Sequence, residues 1–134
     1  MQWLVVLALA LDLGTVKTEP KLEKRSELAL QYANSALDAA KTAYQEGRFE
    51  KTQEELGQVK DAVTLSYDSL VATGKNPRKM GAFKNAEKAT RELLRRLLGF
   101  RDAMSAVDHP VLDPVVEDVK EVHEHLLSGI MTGK

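Results

Sequence analysis

The residues best able to do chemistry are few and widely spaced. His109, His123 and His125 are the only histidines. Side chains two apart on a helix point about 200° apart, so His123 and His125 cannot close on one metal ion. Glu121 and His125 are four apart, a spacing that suits an exposed pair on one helix face. It supplies two ligands where a zinc site needs at least three from the protein, and the Glu-x-x-His spacing of carboxylate-bridged di-iron bundles is absent. Haem ligation by His123 would need Met80 or Met104 as its partner; methionine in such places is usually core filler. Ser26, Ser35, Ser66, Ser69, Ser105 and Ser128 lie in or beside helical patterns with no nucleophile elbow around them. No phosphate-cradling loop or dinucleotide fingerprint occurs, and the carboxylates read as solvated helix faces. The expectation is a protein that is not an enzyme, with no catalytic, cofactor-binding or metal-ligating residue.

Basic residues carry the stronger pattern. Between 74 and 101 there are nine basic residues and two acidic ones, Glu87 and Glu92. Between 108 and 125 there are six acidic residues and one basic, Lys120. Lys84, Lys88, Arg91 and Arg95 make a stripe at helical spacing, preceded by a turn holding Lys75, Arg78 and Lys79. Two uses follow. Structurally, the third and fourth helices pair antiparallel, with Arg101 near Asp113 and Glu117, Lys84 near the end of the fourth helix, and Glu117, Glu121 and Glu124 as the opposing stripe. Such exposed pairs guide register more than they stabilise, at about 0–1 kcal/mol each. Functionally, Lys75, Arg78, Lys79, Lys84, Lys88, Arg91 and Arg95 are the candidate interaction surface, with the loop around His109 as a further surface candidate. Its partner is a protein or, alternatively, a polyanion; nucleic acid is disfavoured because the strip lacks stacking aromatics and an acidic helix follows it.

Four helices must position these groups. The first, over about 20–46, carries Ala29, Ala33, Ala36, Ala40 and Ala43 on one face, with Leu30, Leu37 and Tyr44 one step round. Small residues along a seam allow close helix approach. Gly47 is placed as a left-handed cap, and the next helix begins almost at once, which forces a hairpin. The second, over about 48–73, carries Phe49, Thr52, Leu56, Val59, Val63, Ser66 and Leu70. The third, over about 80–104, carries Phe83, Ala86, Thr90, Leu93, Leu97, Phe100 and Met104. The fourth is read as starting at Asp113-Pro114, a good N-cap followed by proline at the first helical position, and running to about 131 with Val115, Val119, Val122, Leu126 and Ile130 inward. Tyr32, Leu65 and Tyr67 are expected outside one bundle, as a homodimer face.

Residues 3–11 (WLVVLALAL) form an unbroken apolar run. It is about half the length that spans a bilayer, and it suits the apolar region of a secretory signal. Val16 and Thr18 would stand at the minus-three and minus-one positions of a cleavage site, although no basic residue precedes the run. The expectation is an export signal over 1–18 and a periplasmic or secreted mature chain; a short packed N-terminal helix in a cytoplasmic protein is the alternative.

The 134 residues favour one domain, with 43% hydrophobic residues, 29% charged and 5% aromatic. A net charge of -1 gives no global attraction to nucleic acid or membrane, and the absence of cysteine excludes disulfides, thiolate metal sites and cysteine nucleophiles. Within 33–63, Ala40, Ala43-Tyr44, Gly47, Phe49, Leu56 and Val59 resemble a tetratricopeptide-type helical hairpin. The resemblance implies a protein-interaction scaffold. It covers about a quarter of the chain, has Thr52 where a small alanine is expected, and is not repeated downstream as a solenoid requires. No site residue is carried over from it. The fold expected is all-α: an antiparallel up-down-up-down four-helix bundle over 19–134 behind a signal-like segment. The function expected is protein–protein contact by a small exported non-enzymatic protein, with a ligand-binding bundle (haem, metal or an apolar molecule) or polyanion binding as alternatives.

Overall fold

The computed structural model describes residues 12–133, all-helical with no strand among them. The elements are α1 (Leu13–Lys17), α2 (Leu22–Gln45), α3 (Phe49–Ala72), α4 (Gly81–Ala103), a 3-10 turn (Ala106–Asp108) and α5 (His109–Thr132). No described helix is long and apolar enough to cross a membrane.

The apolar seams fold as their periodicity predicts. Ala29, Ala33, Ala36, Ala40 and Ala43 are all buried, and this small-residue face gives α2 and α3 the most extensive helix contact in the molecule. Gly47 adopts φ 75°; the N–H of Arg48 donates to the Ala43 carbonyl at 2.8 Å and that of Gly47 to Tyr44 at 3.1 Å. That pair of bonds is a Schellman cap, which needs a left-handed residue at this glycine. Leu56, Val59, Val63 and Leu70 of α3, and Phe83, Leu93, Leu97 and Phe100 of α4, are buried opposite. Buried hydroxyls are satisfied: Thr52 and Thr90 donate to the carbonyls of Arg48 and Ala86, and Ser26 meets Ser66 at 2.7 Å across α2–α3. Among the described residues no buried side-chain polar atom lacks a partner.

Two antiparallel hairpins result. In α2–α3, Ser26 faces Ser66 and Tyr32 donates to Gln58 at 3.1 Å. In α4–α5, Glu87 faces His123 and Arg101 faces Asp113. Laterally, α2 lies beside α4 in the same direction: Arg96 of α4 bonds Asn34 and Asp38 of α2, and Phe100 packs edge-on to Tyr44 at 5.7 Å. Likewise α3 lies beside α5, with Lys60 on Asp118 at 3.3 Å and the Tyr67 ring 5.8 Å from that of His125. Direction thus alternates along the chain, while neighbours across the hairpins run parallel.

One helix start differs from expectation. α5 begins at His109, and Pro114 lies inside it. Pro110 occupies the first turn, where a missing N–H is harmless, whereas Pro114 forgoes one interior backbone bond. The longer helix brings Leu112 into phase with Val115, Val116 and Val119, and Leu112 is fully buried while Pro114 faces solvent. Asp113 is no cap; its carboxylate accepts from Arg101 Nε at 2.7 Å.

The apolar run 3–11 lies outside the described residues. Residues 13–17, the end of the expected export signal, form α1. The Asp12 carboxylate accepts from the Thr15 N–H at 2.7 Å, which holds its pKa below the usual carboxylate value. Leu13 and Val16 are buried, and α1 packs on α2 and α3.

Candidate functional site

The candidate interaction surface starts at the α3–α4 turn. Gly74 takes φ 67° and closes α3. Asn76 then organises the turn: its side chain accepts from the Arg78 N–H at 2.9 Å and its carbonyl from the Lys79 N–H at 3.0 Å. Lys75 pairs with Glu23 of α2 at 3.1 Å. The Arg78 stem passes so close to Gly133 that a Cβ there would meet Arg78 Cδ at 2.9 Å. The turn is thereby tied to the start of α2 and the end of α5.

Along α4, Phe83, Ala86, Thr90, Leu93 and Leu97 take the core side, which turns Lys84, Lys88, Arg91 and Arg95 outward; all four are exposed. Arg91 reaches Glu87 with Nε at 3.2 Å, and Arg95 reaches Glu92 at 3.1 Å. Among the described residues, Lys79, Lys84 and Lys88 have no carboxylate within ion-pair distance. All seven sequence-predicted residues therefore share the turn and the outer face of one helix.

The opposing acidic stripe behaves differently from expectation. Arg101 meets Asp113, and that hydrogen bond raises the guanidinium pKa further. Glu117, Glu121 and Glu124 instead face solvent, because Val115, Val119 and Leu126 claim the core side of α5. The α4–α5 register is set by Arg101–Asp113 and by His123, whose Nε2 lies 2.7 Å from Glu87 Oε2. Sequence reading missed the His123–Glu87 pair, which spans 36 positions. His125 packs on Tyr67 and His109 Nε2 lies 3.3 Å from the Met104 carbonyl, so the three histidines serve three separate places. Among the described residues no cluster of three or more metal-ligating side chains occurs. Tyr32, Leu65 and Tyr67, expected as a free face, are partly buried and packed against the core along the outer seams.

A cleft of about 1140 Å³ opens between the N-terminal halves of α2 and α4. Its floor is Leu30, Met80 and Ala86; Lys21, Lys24, Glu23 and Glu27 stand on its α2 rim, and Lys75 on the turn. Its α4 wall carries only small side chains, Ala82, Asn85 and Ala89. No sequence signal marked it, because it comes from the parallel alignment of helices belonging to different hairpins. At the opposite end the Tyr44 hydroxyl donates to Asp108 Oδ2 at 2.7 Å and accepts from the Ser105 N–H at 3.0 Å. The Ser105 bond lowers the Tyr44 pKa, but the Asp108 contact and burial outweigh it and the net shift is upward. Comparison with protein-family models, curated proteins and solved structures finds no match to this chain.

Proposed function

We propose that the two hairpins form an up-down-up-down four-helix bundle that acts by protein–protein contact, without catalysis, through the α3–α4 turn and the outer face of α4. The observation that carries this reading is the ordered row of exposed cations. Lys79, Lys84 and Lys88 stand outside ion pairs among the described residues, on a helix and a turn fixed by the core beneath them. A fixed charged surface steers an acidic partner and sets its orientation. Export to the periplasm or medium, carried by residues 1–18, belongs to the same proposal.

The test is affinity capture of partners from the envelope fraction or medium of source cells, with wild-type chain and with an Arg78→Glu, Lys79→Glu double variant. The wild type is expected to retain an acidic partner that the variant loses, with binding that weakens as salt rises. An unchanged set of partners would rule this surface out. Retention of heparin, in place of protein and with a steep salt dependence, would move the reading to polyanion binding.

A further inference from the structure

The two ends of the bundle are complementary. At one end, the connection between α4 and α5 raises a small apolar ridge. Ala103, Ala106, Val107 and Pro110 are all exposed, Val107 at 81%. The ridge is held in shape by the 3-10 turn and by Tyr44, which bonds both Asp108 and the Ser105 N–H. Asp102 and Asp108 flank it. At the other end lies the cleft between α2 and α4, apolar at its floor and lined by small side chains. On its rim Lys75 pairs with Glu23 at 3.1 Å and Lys24 with Glu27 at 4.0 Å, which leaves Lys21 as the rim cation outside ion pairs among the described residues. One surface is a preformed apolar projection with acidic flanks; the other is a preformed apolar recess whose rim carries one net positive charge, at Lys21.

We propose that the cleft receives the 103–110 ridge of a second copy of this chain, so that molecules join end to end. This rests on the reading of the protein as one that acts by contact, and names its partner at this surface. No molecule's ridge reaches its own cleft: the two sit at opposite ends of α2, whose 24 residues span about 36 Å. A contact between unlike ends is heterologous, so each joined copy still presents one free ridge and one free cleft. Because both surfaces are already shaped, association forgoes little side-chain and loop entropy.

The experiment is sedimentation velocity of the full chain over a concentration series. Species that grow past the dimer with concentration, and shrink as salt rises, are expected. Val107→Asp removes the ridge contact and places a charge in an apolar recess. Ala82→Glu places a carboxylate in the cleft against Asp102 and Asp108, at the second residue of α4, where an acidic side chain suits the helix start. Each variant alone is expected to associate about tenfold more weakly or not at all, with helix content unchanged by circular dichroism. Their mixture is the decisive sample. One variant keeps its cleft and the other its ridge, so a one-to-one dimer should form and stop there.

Wild-type chain that stays monomeric throughout overturns the proposal, and leaves contact with an acidic partner standing if affinity capture still succeeds. Association that ignores both substitutions, or variants that fail to pair when mixed, also overturns it. Failure of the capture experiment alone, with end-to-end growth intact, removes the acidic partner and not this contact.

Discussion

α2 and α4 run side by side in one direction, fastened at one end and parted at the other. At the fastened end large side chains bridge them: Tyr44 lies against Phe100, and Arg96 bonds both Asn34 and Asp38. At the parted end α4 offers Ala82, Asn85, Ala86 and Ala89, which are too small to fill the space beside Leu22 and Leu30, and the cleft remains. Parallel neighbours from different hairpins have no short loop to draw their ends together. Side-chain volume alone decides where they touch. Small side chains thus act in opposite ways: the alanines of α2 let α3 approach closely, while Ala82, Ala86 and Ala89 of α4 leave the space toward α2 open.

The largest way to break this contrast is to remove the fastening. Phe100 is buried at the closed end, and Phe100→Ala should cost about 3–5 kcal/mol through lost burial and a cavity. Urea unfolding monitored by circular dichroism checks it; a cost under about 1 kcal/mol would mean the closed end carries no special weight. The next effect tests the open end. Deleting residues 1–18 removes α1, with buried Leu13 and Val16, just before Pro20 on the cleft rim. If residues 1–18 stay in the working protein, losing two such side chains costs about 2–4 kcal/mol; the export proposal, in which they are removed, requires that the mature fold hold without them. A chain starting at Glu19 that unfolds at the same urea concentration would favour reading 1–18 as a removable signal with no part in the mature fold.

A third, smaller contrast compares alanines. Ala36 sits in the closed α2–α3 seam and Ala89 on the cleft wall. Ala36→Leu should overpack and cost about 1–3 kcal/mol, whereas Ala89→Leu, with open space ahead of it, should change stability by less than about 1 kcal/mol in either direction. Equal costs at the two sites would mean that the cleft is closed in solution.

How much of this was legible in the sequence follows from what periodicity measures. The inward seams of α2, α3 and α4 were readable almost to the residue, because three-and-four spacing is a property of one helix at a time; in α3 Phe49 strays outward, at 38% exposed, and buried Ala62 was not read, while in α5 Val122 and Ile130 are only partly buried and Val116 takes a core place that was not read. The start of α5 was misread because Asp113-Pro114 is a strong local signal, and only the tertiary burial of Leu112 overrides it. The basic row on α4 was legible for the same reason as the core it borders. The lateral pairing of α2 with α4 was not. Tyr44 stood out as the last of three large residues seven apart, but nothing near it named Asp108, 64 positions away, as its partner. Val107, at the head of the proposed contact, carried no signal of its own; its exposure comes from the 3-10 turn that holds it.

The smallest predicted effect returns to the fastening through pH. Tyr44 has its pKa raised above the ordinary tyrosine value; the Ser105 N–H pulls it down, and the Asp108 contact and burial more than offset that. Tyr32 is raised by burial, and Lys51 by its bond to Glu55. A group whose folded pKa lies above its unfolded one stabilises fully below the unfolded value, about 10 for tyrosine, and loses that contribution as pH rises through the folded value. The protein should therefore weaken above about pH 10. In Tyr44→Phe the aromatic packing on Phe100 survives but the hydroxyl does not, so the alkaline fall should become shallower while the parts due to Tyr32 and Lys51 persist. Urea midpoints of both proteins between neutral and strongly alkaline pH measure it. Parallel curves would show that the Tyr44 hydroxyl does not couple to folding, and that Phe100 packing and the Arg96 bonds alone hold the closed end. A shallower curve would show that the Tyr44 hydroxyl couples to folding, as repulsion between its phenolate and Asp108 requires.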